Sequence, residues 1–74
     1  MKRTPLLLNF GQRVRDLRES RGLSQEEFAD TCDLDRTYVS GVERGVRNIS
    51  LNNINKIADS FGVSLAELMK GVTG

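Results

Sequence analysis

The chain has 74 residues, 38% hydrophobic and 28% charged, with a formal net charge of +1. That is enough for one domain, near the lower size at which a core alone sustains a fold, and the composition is that of a soluble globular chain rather than a disordered tail. A single cysteine and no histidine leave no internal disulfide and no ordinary zinc set, and no apolar run approaches membrane-spanning length, so neither metal, cofactor nor membrane is expected.

In chain order, Pro5 is the only proline and closes an N-terminal arm, residues 1–5, expected to be flexible and to precede one domain over 6–74. Asn9 is placed to cap a first helix over 9–21 with Gln12 reaching back, and Phe10, Val14 and Leu17 recur at helical spacing until Gly22. Ser24 and Glu27 have the spacing of a capping box, in which a hydroxyl and a carboxylate each take one orphan amide; they open a second helix over 24–31 with Phe28, Ala29 and Cys32 inward. Asp33 and Leu34 make a tight connection, and Asp35 caps a third helix over 35–44 that turns Val39 and Val42 inward before Gly45. Ser50 caps a fourth helix with Leu51, Ile54, Ile57, Ala58 and Phe61 as its stripe, and Gly62 ends it. Ser64 and Glu67 open a fifth as a second capping box, with Leu65, Leu68, Met69 and Val72 apolar. The expected architecture is all-α, a compact five-helix domain.

The small net charge hides a sorted distribution: residues 1–21 carry +4, residues 22–35 carry −5 and residues 36–48 carry +2. One basic face is therefore available to a polyanion. Two short helices joined by a brief turn, Leu23 to Gly45, cross steeply and leave the second standing clear of the body, a shape that fits a DNA groove. Its outer side displays Arg36, Thr37, Tyr38, Ser40 and Gly41.

On these residues the chain resembles the helix-turn-helix family of lambdoid phage repressors, Cro proteins and xenobiotic-response-element regulators. The resemblance spans nearly the whole chain and is carried by Arg18, by Gly22-Leu23-Ser24-Gln25-Glu26-Glu27-Phe28-Ala29, by Val39 and Val42, and by Glu43 with Gly45. Within the family, the stretch from Leu34 to Arg44 with Arg47-Asn48 is most similar to controller proteins of restriction-modification systems. Two positions depart: Asp33 stands where relatives usually carry glycine, and Gly41 where many carry a long polar reader. Aspartate tolerates the left-handed conformation, and Gly41 is read as admitting close approach of DNA.

Arg36 in the first turn of the third helix is the candidate base reader, since a guanidinium can bond both acceptors of guanine in the major groove. Thr37, Ser40 and Gly41 complete the base-facing set, with plain exposure as the alternative for Thr37 and Ser40. Tyr38 is a backbone contact or a partly buried packing residue. Ser24 and Gln25 at the second helix start, with Arg44, Arg47 and Asn48 after the third, are candidate phosphate contacts. The resemblance implies an ion pair between Arg18 and Glu43, and Cys32 reads as a small buried hydrophobe.

A single reading helix covers few base pairs, so a homodimer on a two-fold symmetric double-stranded operator is expected, with half-sites about 34 Å apart. Leu65, Leu68, Met69 and Val72 are its candidate interface. Likeness to controller proteins implies a complete transcription regulator that activates at low and represses at higher concentration, in the bacterial cytoplasm at the nucleoid, with RNA polymerase a candidate further partner. A phage-type repressor or an antitoxin that mainly binds a protein is the alternative. An enzyme is not expected: no histidine base, activated nucleophile pattern or phosphate loop is present.

Overall fold

The computed structural model describes residues 3–74 and contains five helices: α1 (Pro5–Ser20), α2 (Gln25–Cys32), α3 (Arg36–Glu43), α4 (Leu51–Phe61) and α5 (Leu65–Leu68). Met1 and Lys2 of the expected arm lie outside the described residues.

α1 starts four residues earlier than expected. Thr4 is the N-cap, its hydroxyl accepting from the Leu7 amide at 3.2 Å, and Pro5 occupies the first turn. A proline there loses nothing, because its missing N–H would be an orphan anyway. Asn9 is thus interior to the helix, and its amide donates instead to the Thr73 carbonyl, 2.6 Å away at the far end of the chain. Gln12 does not return to a cap either; it donates forward to Asp16 at 2.8 Å.

The remaining starts follow local chemistry. Ser24 Oγ accepts from the Glu27 amide at 3.0 Å and Glu27 Oε1 accepts from the Ser24 amide at 2.9 Å, closing the capping box. The Ser24 amide bond, more than its hydroxyl, holds the Glu27 carboxyl below the usual carboxylate range. Asp35, Ser50 and Ser64 cap α3, α4 and α5. The expected second capping box is only half formed: Ser64 accepts from the Glu67 amide, while the Glu67 carboxylate lies 3.9 Å from Arg13. α5 is a single turn, and Val72 lies beyond it.

The helices close over a core whose largest fully buried side chains are Val14, Phe28, Val39, Ile57 and Leu68. Each such side chain contributes about 1.5–3 kcal/mol relative to exposure. Phe28 and Phe61 stack with centroids 4.5 Å apart, joining α2 to α4. Leu68 at 0% exposure belongs to this core and is not an interface residue, because α5 must spend its inward side on the body of the domain. Arg13 fastens that turn to α1 by donating to the carbonyls of Glu67 and Leu68. Cys32 is buried, and burial pushes its thiol up.

α1 and α3 meet at backbone distance. A Cβ on Gly11 would strike the Val42 carbonyl oxygen and come within 2.6 Å of that of Glu43. Beyond α3, Gly45 turns the chain at φ +74°, with the backbone of Leu8 so near that a Cβ would lie 3.0 Å from Leu8 Cα.

Candidate nucleic-acid interface

The α2–turn–α3 unit is built from local requirements. α2 ends where Asp33 takes a left-handed conformation, φ 57° and ψ 44°, and the Leu34 amide then bonds back to the Ala29 carbonyl at 3.0 Å. A short polar side chain makes that conformation tolerable without glycine. Ala29, 1% exposed, faces the crossing, and Val39 and Val42 anchor the inner side of α3. Arg36 and Thr37 are left exposed on its first turn, with Ser40 half-buried one turn on.

The posture of α3 is held from α1. Arg18 donates to both carboxylate oxygens of Glu43, Nε to Oε2 at 2.7 Å and Nη2 to Oε1 at 3.0 Å, and Nη1 donates to the Leu23 carbonyl at 2.7 Å. The two side chains are 10% and 3% exposed. The hydrogen bond that Arg18 donates to Glu43 raises its already high pKa against the opposing cost of burial, so the guanidinium keeps its charge at any ordinary pH. Gln25 Nε2 adds a bond to Glu43 Oε1 at 3.1 Å, which fixes the side chain at the start of α2 with a second N–H to spare.

At the opening of α3, the Thr37 hydroxyl donates to Asp35 Oδ2 at 2.8 Å; that bond, chiefly, draws the Asp35 carboxyl below the usual range. The Thr37 rotamer is thereby tied to the cap. Further along, Tyr38 is half-buried, its hydroxyl accepting from Asn53 Nδ2 of α4 at 3.0 Å and its ring lying 4.9 Å beneath the Arg47 guanidinium. Asn53 was not among the residues that the sequence singled out. The available signal was the group Asn52, Asn53 and Asn55 within one helix, since asparagine is a poor helix former and its presence asks for another reason.

Gly41 requires a correction. It is buried, and a Cβ there would lie 2.8 Å from Arg47 Cγ, so the space is filled by the arginine stem rather than open to an approaching duplex. Arg44, Arg47 and Asn48 are exposed after α3, and Ser24 is exposed at the start of α2. Asn48 also borders an apolar cavity of about 190 Å³ lined by Leu6, Leu7, Phe10, Ile49, Ile54 and Met69. Elsewhere on the surface Leu51 is 72% and Leu65 40% exposed.

Among the described residues no cluster of His, Cys, Asp and Glu could hold a metal ion, and no helix is long and apolar enough to cross a membrane.

Comparison with known proteins places this geometry among relatives. The helix-turn-helix family matches residues 14–68. The chain is 51% identical over 67 residues to Control protein C.BamHI of Bacillus amyloliquefaciens, covering 89% of this chain and 83% of that protein. It is similar to the crystal structure of the restriction-modification controller protein C.AhdI from Aeromonas hydrophila, with a TM-score of 0.81 and 55% identity over 84% of this chain and 94% of that one. It is also similar to the restriction-modification controller protein C.Esp1396I, solved as a tetramer in complex with its natural 35 base-pair operator, with a TM-score of 0.82 and 31% identity over 90% of this chain and 88% of that one.

Proposed function

Because the chain belongs to the helix-turn-helix family, we propose that it is a sequence-specific double-stranded DNA-binding transcription regulator of the restriction-modification controller type, acting as a homodimer on a two-fold symmetric operator. The observation that carries this is the exposed first turn of α3, with Arg36 and Thr37 free of the core while the Arg18–Glu43 pair and Ala29 fix the helix behind them. A rigid helix with an unburied leading edge can enter a major groove about 12 Å wide, where a guanidinium reads guanine.

In this reading Arg36, Thr37 and Ser40 face bases. Ser24, Gln25, Tyr38, Arg44, Arg47 and Asn48 meet the sugar-phosphate backbone, supplying affinity that falls with salt. The dimer face moves from Leu68, which is consumed by the core, to Leu65 and Met69 together with the exposed Leu6 and Leu51, of which Leu6 and Met69 line the apolar cavity. The role is regulatory and not catalytic. Concentration-dependent activation and repression, contact with RNA polymerase and a cytoplasmic site at the nucleoid follow from likeness to controller proteins.

Selection of bound sites from a random duplex library, with the mass of the free protein measured alongside, tests the proposal. A palindromic site and a dimer mass are expected. Arg36→Ala should cost about 1–3 kcal/mol on the selected site and relax one base position, leaving random DNA almost unaffected. Equal loss on both would remove base reading from Arg36, and no binding to any duplex at low ionic strength would end the proposal.

A further inference from the structure

We propose that Asn53 is a positioning residue for DNA-backbone binding, which sets the Tyr38 hydroxyl as an outward donor and so completes, with Arg47, a site for one phosphodiester. The inference rests on the DNA-binding reading above and deepens it by assigning a role to α4.

The argument is one of hydrogen-bond polarity. An amide nitrogen has only protons to offer, so at 3.0 Å from Asn53 Nδ2 the Tyr38 oxygen is the acceptor. The phenolic proton must then point away from α4. Among the described residues it has no acceptor, although the ring is half-buried and its hydroxyl is anchored. An oriented, unspent donor at the edge of a binding surface suits a ligand rich in acceptors.

Arg47 supplies the charge. Its guanidinium lies 4.9 Å over the Tyr38 ring, held there by attraction to the aromatic face, while the side chain stays exposed. Its stem is seated over Gly41, where any Cβ would displace it. Among the described residues no carboxylate pairs with Arg47, the nearby Glu43 being committed to Arg18 and Gln25. The outward groups of the cluster are thus a neutral O–H and a cation, both donors. A phosphate, with its charge and two free oxygens, meets both; a base edge, even the two acceptors of guanine, carries no charge to match the guanidinium.

Without Asn53 the hydroxyl would share its proton between orientations, and the ordering would have to be made on binding. Asn53 therefore acts through Tyr38, and the two losses should not multiply. The test uses the full chain on a duplex recovered by selection with the wild-type protein. Tyr38→Phe and Asn53→Ala should each weaken binding about fivefold, and the double variant about fivefold as well rather than about 25-fold. The isosteric Asn53→Asp, which retains the shape, turns the phenolic proton inward to a carboxylate and should weaken binding further. Tyr38→Phe and Asn53→Ala should leave the dependence of log Kd on log salt unchanged, whereas Arg47→Ala should reduce its slope by about one. Losses that multiply, or wild-type affinity in Asn53→Asp, would overturn the assignment while leaving DNA binding intact. A wild-type chain that selects no duplex would overturn both.

Discussion

Gly11→Ala separates helix propensity from tertiary packing, because the two make opposite predictions. In an isolated helix alanine at position 11 would be favoured over glycine by about 1 kcal/mol. In the folded chain the new Cβ would lie 2.6 Å from the Glu43 carbonyl oxygen and 2.9 Å from its carbon, against 3.4 Å for ordinary contact. These obstacles are backbone atoms at the end of α3 and cannot rotate aside. α1 would have to retreat by at least about 0.8 Å, the difference between 3.4 and 2.6 Å, since the Val42 carbonyl oxygen is nearer still, loosening Phe10 and Val14 in the core and lengthening the Arg18–Glu43 bonds. Overpacking of this kind costs about 1–3 kcal/mol, occasionally more, and here both strain and lost contacts apply, so about 3 kcal/mol is assigned. The net expectation is a destabilisation of about 2 kcal/mol, which for a domain of this size lowers Tm by about 8–16 °C. Thermal melting followed by circular dichroism measures it, with Gln12→Ala on the exposed side of the same helix as a near-neutral control. A Tm equal to or above that of the wild type would show that α1 and α3 do not meet at Gly11.

Two further outcomes are expected. Glu43→Ala leaves the Arg18 guanidinium buried with the Leu23 carbonyl as its main partner and should destabilise the fold by about 3 kcal/mol in urea titration, whereas Arg18→Met with Glu43→Leu should recover most of the loss. No recovery would mean that the pair is worth more than its burial costs. The carboxyls of Glu27 and Asp35 are both held below their usual range by helix-cap bonds. Each therefore binds its proton more weakly folded than unfolded, so its contribution is complete above the ordinary carboxylate pKa of about 4 and is lost as pH falls through and below it. Tm measured from pH 7 down to pH 3 should fall, and less so in Glu27→Gln; a rise on acidification would refute the cap bonds.

The helix starts and stops that were legible in the sequence are those whose chemistry closes within a few residues. Ser24 with Glu27, Asp35, Ser50 and Ser64 cap helices because a side chain reaches an amide two or three positions on, a relation fixed by the chain itself. Asp33 in the turn is of the same kind. Even so, Asn9, read as the cap of α1, lies inside a helix that Thr4 caps, and its amide meets the Thr73 carbonyl instead. The pairing of Arg18 with Glu43 was implied by resemblance, not by spacing.

What lay beyond reach was decided where helices cross. Whether Gly41 faces solvent or the stem of Arg47, whether Leu68 is spent on the core, and which group on α4 meets the Tyr38 hydroxyl all depend on interhelical angles and distances of a few tenths of an ångström. The sequence by itself determined five helices, the caps of four of them and the pair suited to a groove, because backbone groups at helix ends find partners nearby in the chain. Only the tertiary structure decided how those helices share their side chains, because packing joins residues that the chain keeps far apart.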